Sequence, residues 1–199
     1  MPKGIMRRTT TQHLMILVAG VMFVCTFMAA KRAVPPHGVL PTTVADYVHA
    51  VIEADRAIYT KHVVDRMQEK GVVGASENWE SQNTLPLPAQ FLIDSARMVA
   101  KKNRGIRYRL VSLWPIYERN GPATEFERGG LEAIMRQPDK TYTGYAESGG
   151  QRYFQAIYAD IAVAQACIGC HNAHPNSPRR DFKLNDVMGG LVITFPVGP

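Results

Sequence analysis

The 199-residue chain predicts an α+β fold preceded by an N-terminal transmembrane helix. Three observations lead there. A single long apolar run follows basic residues near the N-terminus, helical periodicity dominates the first part of the remaining chain, and strand patterns with a tight hairpin dominate the last part. With 46% hydrophobic and 20% charged residues the composition is that of a globular protein. The length suits one compact domain plus an anchor.

The apolar run is Leu14 to Ala30, LMILVAGVMFVCTFMAA. Its 17 residues span about 25 Å as a helix, a little under the ~30 Å hydrocarbon core of a bilayer. A removable signal peptide has a shorter apolar stretch and a small-x-small cleavage site, and here Met28 spoils the best such site. An uncleaved anchor is therefore expected, with a cleaved signal as the alternative; both export the rest of the chain. Lys3, Arg7 and Arg8 hold the N-terminus in the cytoplasm, although Lys31 and Arg32 weaken the asymmetry. Cys25 reads as an ordinary membrane cysteine, because the bulky Val24 before it is wrong for lipoprotein processing. The expected organisation is a cytoplasmic N-terminus and anchor over 1–32, a Pro/Gly-rich linker over 33–41, and a domain over 42–199 on the periplasmic side of the inner membrane.

Helical spacing runs from Thr42 to Lys70 and stops at Gly71, with Tyr47, Val48, Val51, Ile52, Ile58, Tyr59 and His62 expected on one inward face. A second helix is expected over Pro88 to Arg104, with Lys101, Lys102 and Arg104 near its negative end and Gly105 just beyond. A third opens at Thr124, where Thr124 and Glu127 have capping-box spacing, and stops before Pro138. Arg107 to Trp114 reads as a strand. Thr141 to Glu147 and Gln151 to Tyr158 flank Ser148-Gly149-Gly150 as a hairpin, and Leu191 to Phe195 forms the last strand.

The chemistry is concentrated in Cys167-Ile168-Gly169-Cys170-His171, the spacing of c-type haem attachment. Two thiols three residues apart lie on one side of a helical turn and can add to the two vinyl groups of one haem. The histidine that follows then offers an imidazole to the iron as proximal ligand. Three other readings use the same residues: a redox-active pair, a disulfide, or part of a zinc site. A redox pair usually opens a helix in a βαβ unit, whereas Asp160 to Ala166 here look helical. A zinc site needs a second ligand pair, and the nearby extra residue is His174. Export of the domain favours haem.

Together with this motif, Val51 to Val64 (VIEADRAIYTKHVV), Arg107 to Arg128 (RYRLVSLWPIYERNGPATEFER) and Lys183 to Pro196 (KLNDVMGGLVITFP) make the chain resemble the bacterial haem-c-binding domains with a PAS-like fold. The resemblance implies a five-stranded antiparallel sheet flanked by helices, with one covalent haem c held between the sheet and the N-terminal helix. Some members are fused to kinase or cyclase outputs as sensors; here the chain stops at Pro199, directly after its last strand, which leaves no room for an output module.

The distal iron ligand stays open between His62, Met188 and no protein ligand. His62 is expected inward on the helix that the family packs over the haem. Met188 offers a thioether but precedes Gly189-Gly190, which reads as a turn. Some family members supply a cysteine from the N-terminal helix; this helix has none, so thiolate ligation is not carried over. His49 is expected in solvent, His174 in a loop near a propionate, and Trp114-Pro115 at the end of a core strand. Asp55 and Arg66 lie along the mostly apolar stripe, where a helix-face ion pair or plain surface exposure is expected, with Arg66, or Arg152, pairing with a propionate as the alternative.

These readings lead first to a one-electron carrier serving a redox partner protein, and second to a redox or gas sensor that signals through a separate partner. A small haem enzyme comes third. The net charge of +6 is a modest excess that reads first as a solvated basic surface, with an acidic partner or anionic lipid headgroups as the alternative. Nucleic acid is a poor fit, since no arginine-rich run is interleaved with aromatics.

Overall fold

The computed structural model describes residues 38–102 and 104–198. The expected anchor over 1–32 and most of the 33–41 linker lie outside the described residues, among which no helix is long and apolar enough to cross a membrane.

Helix α1 (Pro41–Ile58) begins at a proline, whose missing N–H costs nothing in a first turn. It continues without a break through a π-helical segment (Tyr59–Asp65) into the short helix α2 (Arg66–Glu69). Gly71, at φ 64°, ends the run as expected: its N–H reaches Gln68 O at 3.0 Å and that of Val72 reaches Met67 O at 2.9 Å. The inward face differs from the expected one. Ala45, Val48, His49, Ile52, Arg56, Thr60 and Val64 turn towards the domain, while Tyr47, Val51, Ile58 and His62 are exposed. The apolar positions before the π segment occupy two sides of the helix rather than one. Beyond Ile58, the π-helical turns hold more residues than α-helical ones, so a 3.6-residue period carried through them lands on His62 instead of Thr60 and Val64. His49, expected in solvent, stacks on Tyr158 with ring centroids 3.9 Å apart. Burial pushes its imidazole below the usual histidine value, outweighing Glu53, Asp46 and Asp160.

After α2 come two short strands, β1 (Ala75–Ser76) and β2 (Leu85–Pro86), paired parallel around the one-turn helix α3 (Trp79–Gln82). Helix α4 (Pro88–Lys101) and strand β3 (Arg107–Val111) follow, each shorter than expected. Helix α5 (Glu125–Arg136) keeps its predicted cap, with Thr124 accepting from Glu127 N at 3.1 Å. The Glu127 carboxylate is buried and does not return to Thr124. It accepts from Ala123 N at 2.6 Å and faces Arg109 at 3.4 Å. The hairpin β4 (Tyr142–Ser148) and β5 (Gln151–Ile161) turns through Gly149 and Gly150, both at positive φ, which is why this turn takes glycine.

Strand β6 (Val187–Pro196) is longer than expected because Gly189-Gly190 lies within it rather than in a turn. It pairs with β3 on one side and β5 on the other, giving the all-antiparallel order β3-β6-β5-β4. A β-carbon on Gly189 would fall on the Val111 carbonyl oxygen, so glycine here lets β6 and the edge strand β3 close together. The sheet has four strands, not the five the resemblance implied. Beside the outer edge of β3 lies a 3₁₀ turn (Glu118–Asn120) instead of a fifth strand. Pro115 and Pro122 lack ladder donors there. One backbone bond, Ser112 N to Asn120 O, and the Arg109 guanidinium on Arg119 O and Gly121 O cover the edge.

Alternation along the strands places α1 and α4 on one face of the sheet, over Phe154, Ala156, Leu191 and Ile193. Helix α5 covers the other, over Val111, Ile157 and Val192. The Arg56 guanidinium, from the last turn of α1, pairs with Asp160 at the end of β5, and both side chains are more than four-fifths buried. Burial opposes the Arg56 charge, but the Asp160 carboxylate outweighs it and keeps the guanidinium firmly protonated.

Removing one partner of this pair strands a buried charge. Arg56→Met should therefore lower unfolding stability by about 3–5 kcal/mol, and adding Asp160→Leu should recover most of the loss, both read from urea unfolding. Gly189→Ala should cost about 1–3 kcal/mol, at the upper end because the obstacle is backbone. A Gly189→Ala protein with an unchanged unfolding midpoint would contradict the close strand approach.

Candidate functional site

Where β5 ends and β6 begins, the ladder carries a bulge at Asp160/Ile161. Bulges re-aim side chains, and here Asp160 sits in the wall of a cavity partly open to solvent, with about 1060 Å³ of space when the open solvent at its mouth is included. Its floor is β3 and the start of β6, including Leu110, Val111 and Met188. One wall is the beginning of α4; the opposite wall is helix α6 (Gln165–Ala173), which carries the haem-attachment motif. Arg56 lines the same space, so the buried ion pair belongs to the site.

Cys167, Cys170 and His171 all line this cavity. Asp160 and Ile161 complete β5 and α6 starts only at Gln165, so the motif opens its helix; the helical reading of 160–166 is corrected. Pro-free and only nine residues long, α6 is held at its end by Asn172, whose amide donates to Phe182 O at 2.9 Å and accepts from Phe182 N at 3.0 Å. Cys167 and Ile168, like Trp114, pack against Ala162, Phe182 and Met188. Both thiols are free and half-buried. Burial, then Glu77, pushes the Cys170 thiol above its usual value.

His171 lies edge-on to Phe182, centroids 5.6 Å apart. Burial pushes its imidazole below the usual histidine value, which favours the neutral ring with a free lone pair. Among the described residues, Nδ1 of His171 is the buried side-chain nitrogen with no hydrogen-bond partner. An unsatisfied buried polar atom costs about 1–3 kcal/mol and calls for an explanation. A ring nitrogen without a protein partner, two free thiols one helical turn apart and a largely apolar cavity beside them fit a flat cofactor bound through thioethers and an imidazole. Among the described residues no group of three or more His, Cys, Asp or Glu could hold a metal ion of the zinc kind.

At the mouth, His174 caps the end of α6 and its Nε2 lies 3.3 Å from the Glu77 carboxylate. Tyr117 OH donates to the same carboxylate at 2.8 Å, and Arg119 lies over the Tyr117 ring at 4.7 Å. Glu77 thus ties the β1 region to α6 and to the loop after β3.

The distal candidates separate. Met188 is buried, lines the cavity, and stands on β6 rather than at a turn. His62 is exposed on the π-helical segment and is not among the lining residues. Asp55, Arg66 and Arg152 are exposed as well, and Arg152 lies over the Tyr145 ring at 4.1 Å. Sequence reasoning missed Arg56, Asp160 and Glu77. Arg56 and Asp160 are 104 residues apart and meet only through the packing of α1 on β5, so no local pattern announces them.

No curated protein matches the chain. A solved structure, described as the crystal structure of the cyanobacterial heme-protein Tll0287, matches with a TM-score of 0.50 at 16% identity, over 79% of this chain and 97% of that one. At that identity the likeness shows the fold. The sequence model of the family described as "Tll0287-like: Tll0287" matches residues 40–196, nearly all of the described domain, in agreement with the haem-domain resemblance read from the sequence. This chain is a member of the Tll0287-like family.

Proposed function

We propose that the protein is a membrane-anchored monohaem c-type cytochrome whose domain lies on the periplasmic side of the inner membrane and exchanges one electron with a redox partner protein. The observation that carries this reading is the grouping of Cys167, Cys170 and the buried, unpartnered His171 on one short helix at the cavity wall. The fold shared with a cyanobacterial heme-protein supports it, as does the apolar segment Leu14 to Ala30 ahead of the domain.

In this reading Cys167 and Cys170 Sγ form the two thioether links, and the His171 imidazole ligates the iron from the same helix. Haem bound in this way supplies a one-electron ferric/ferrous couple. The rest is the work of the chain. Leu110 and Met188 exclude water from the cavity floor. The Arg56–Asp160 pair places a compensated charge in the wall, so neither ion is left unpaired in apolar surroundings. The Glu77, Tyr117 and His174 contacts hold the mouth. With His62 in solvent, Met188 becomes the distal candidate.

A second reading, redox or gas sensing, is favoured by one observation. Arg56 lines the cavity and stands on the same helix that leads back to the N-terminal segment. A change at the cavity can therefore bear directly on α1 and be passed to a partner.

Covalent attachment is tested on a denaturing gel stained for haem peroxidase activity. The wild-type band should stain and survive acid-acetone extraction, and Cys167→Ala with Cys170→Ala should abolish the stain. Complete extraction of haem from the wild type would sink the proposal. For the distal side, Met188→Ala should change the optical spectrum and speed carbon monoxide binding by at least about ten-fold, whereas His62→Ala should leave both unchanged. The reverse pattern would return the role to His62.

A further inference from the structure

Helix α1 is apolar on two sides, and the domain core uses only one. On the other, Leu40, Tyr47, Val51 and Ile58 are 67%, 68%, 62% and 57% exposed. With the half-buried Val44 and the exposed Ala54 they form the series 40, 44, 47, 51, 54, 58, alternating steps of four and three. That is the seam spacing of a two-stranded coiled coil, in which such residues pack as knobs into the holes of an equivalent helix. The flanking positions next to this seam are Thr43, Val48, Ala50, Asp55 and Ala57, with a single charge among them. The series stops where the π-helical segment begins at Tyr59.

We propose that this face is a homodimer interface, two copies of the chain packing their α1 seams together in parallel. Self-pairing follows from the seam itself, because an uninterrupted 3-4 repeat is complementary to its own copy. The flanking positions bring no pair of like charges together in register. Six seam positions from each copy remove roughly 500 Å² per chain from water, about 1,000 Å² in all, which is the lower bound for a specific interface. The seam extends for 19 residues, about 28 Å, short for a free-standing coiled coil. The chain ahead of it makes up the difference. The apolar segment ends at Ala30, ten residues before Leu40. Two copies anchored in one membrane present their seams at high local concentration and with the same polarity. The parallel orientation thus rests on the anchor proposed above; the interface does not.

The test uses the full-length chain in mild detergent, in a Cys25→Ser background. Light scattering should give twice the chain mass. Val51→Glu should weaken dimerisation at least ten-fold with an unchanged far-ultraviolet spectrum. Of single cysteines placed by Val44→Cys, Ile58→Cys and Glu53→Cys, the first two should oxidise to dimers and the third should not. Cross-linking at Val51→Cys without Val44→Cys and Ile58→Cys would overturn the parallel arrangement. A wild-type chain of single mass, with no cross-link at any seam position, would overturn the interface and leave the face to lipid or to another protein. The mass by light scattering does not depend on haem attachment, which the stained gel reads separately, and the unsubstituted Cys25→Ser chain controls for oxidation at Cys167 and Cys170.

Discussion

The guanidinium of Arg56 and the carboxylate of Asp160 meet where α1, the bulged end of β5 and the wall of the cavity converge. A charge this far from water is tolerated only with its partner in place, so the pair fixes how far α1 slides along the sheet. Once that is set, Ala45, Val48 and Ile52 fall against Tyr158 and Ile193, and the π-helical segment must start where it does. The extra residue taken up in those turns lets Thr60 and Val64 bury beyond the pair. The Thr60 hydroxyl answers by bonding Arg56 O at 2.7 Å.

The cavity is assembled from pieces remote in sequence. Its floor comes from β3 and β6, its walls from α4 and α6, and its charged corner from α1 and β5. No single segment holds it, and so its shape is a property of the complete sheet. The mouth depends instead on one carboxylate: Glu77 accepts from Tyr117 and faces His174. This division separates a rigid interior from a rim held by a few polar contacts in partly exposed surroundings, the kind of region that opens locally without global unfolding.

Local signals were the legible ones. The hairpin could be read because two consecutive glycines between alternating segments have few other uses, and the cap at Thr124 because its chemistry is complete within four residues. The attachment motif lies in five consecutive residues, and all three of its reactive side chains come to the cavity. What escaped depends on partners distant in sequence. Gly189-Gly190 reads as a turn until Val111 is known to pass against it. Val51 and Ile58 read as core until the sheet is known to lie on the other side of α1. The π-helical turns broke the period used to orient His62. A fifth strand was implied by family likeness, while Pro115 and Pro122 left its place to a side-chain-bonded loop.

The strand order has a consequence for the moment at which the cavity can exist. Strand β6 is central, bonded to β3 and β5 at once, yet it is the last of the described elements to leave the ribosome. Until residues 187–196 arrive, β3 has no neighbour in the sheet and the floor beneath α6 is missing. The segment with Cys167, Cys170 and His171 emerges earlier, before the strand that completes the floor beneath it. Long-range pairing of this kind is slow to form. The topology therefore opens an interval in which both cysteines have been made but the strand that completes the sheet beneath their helix has not.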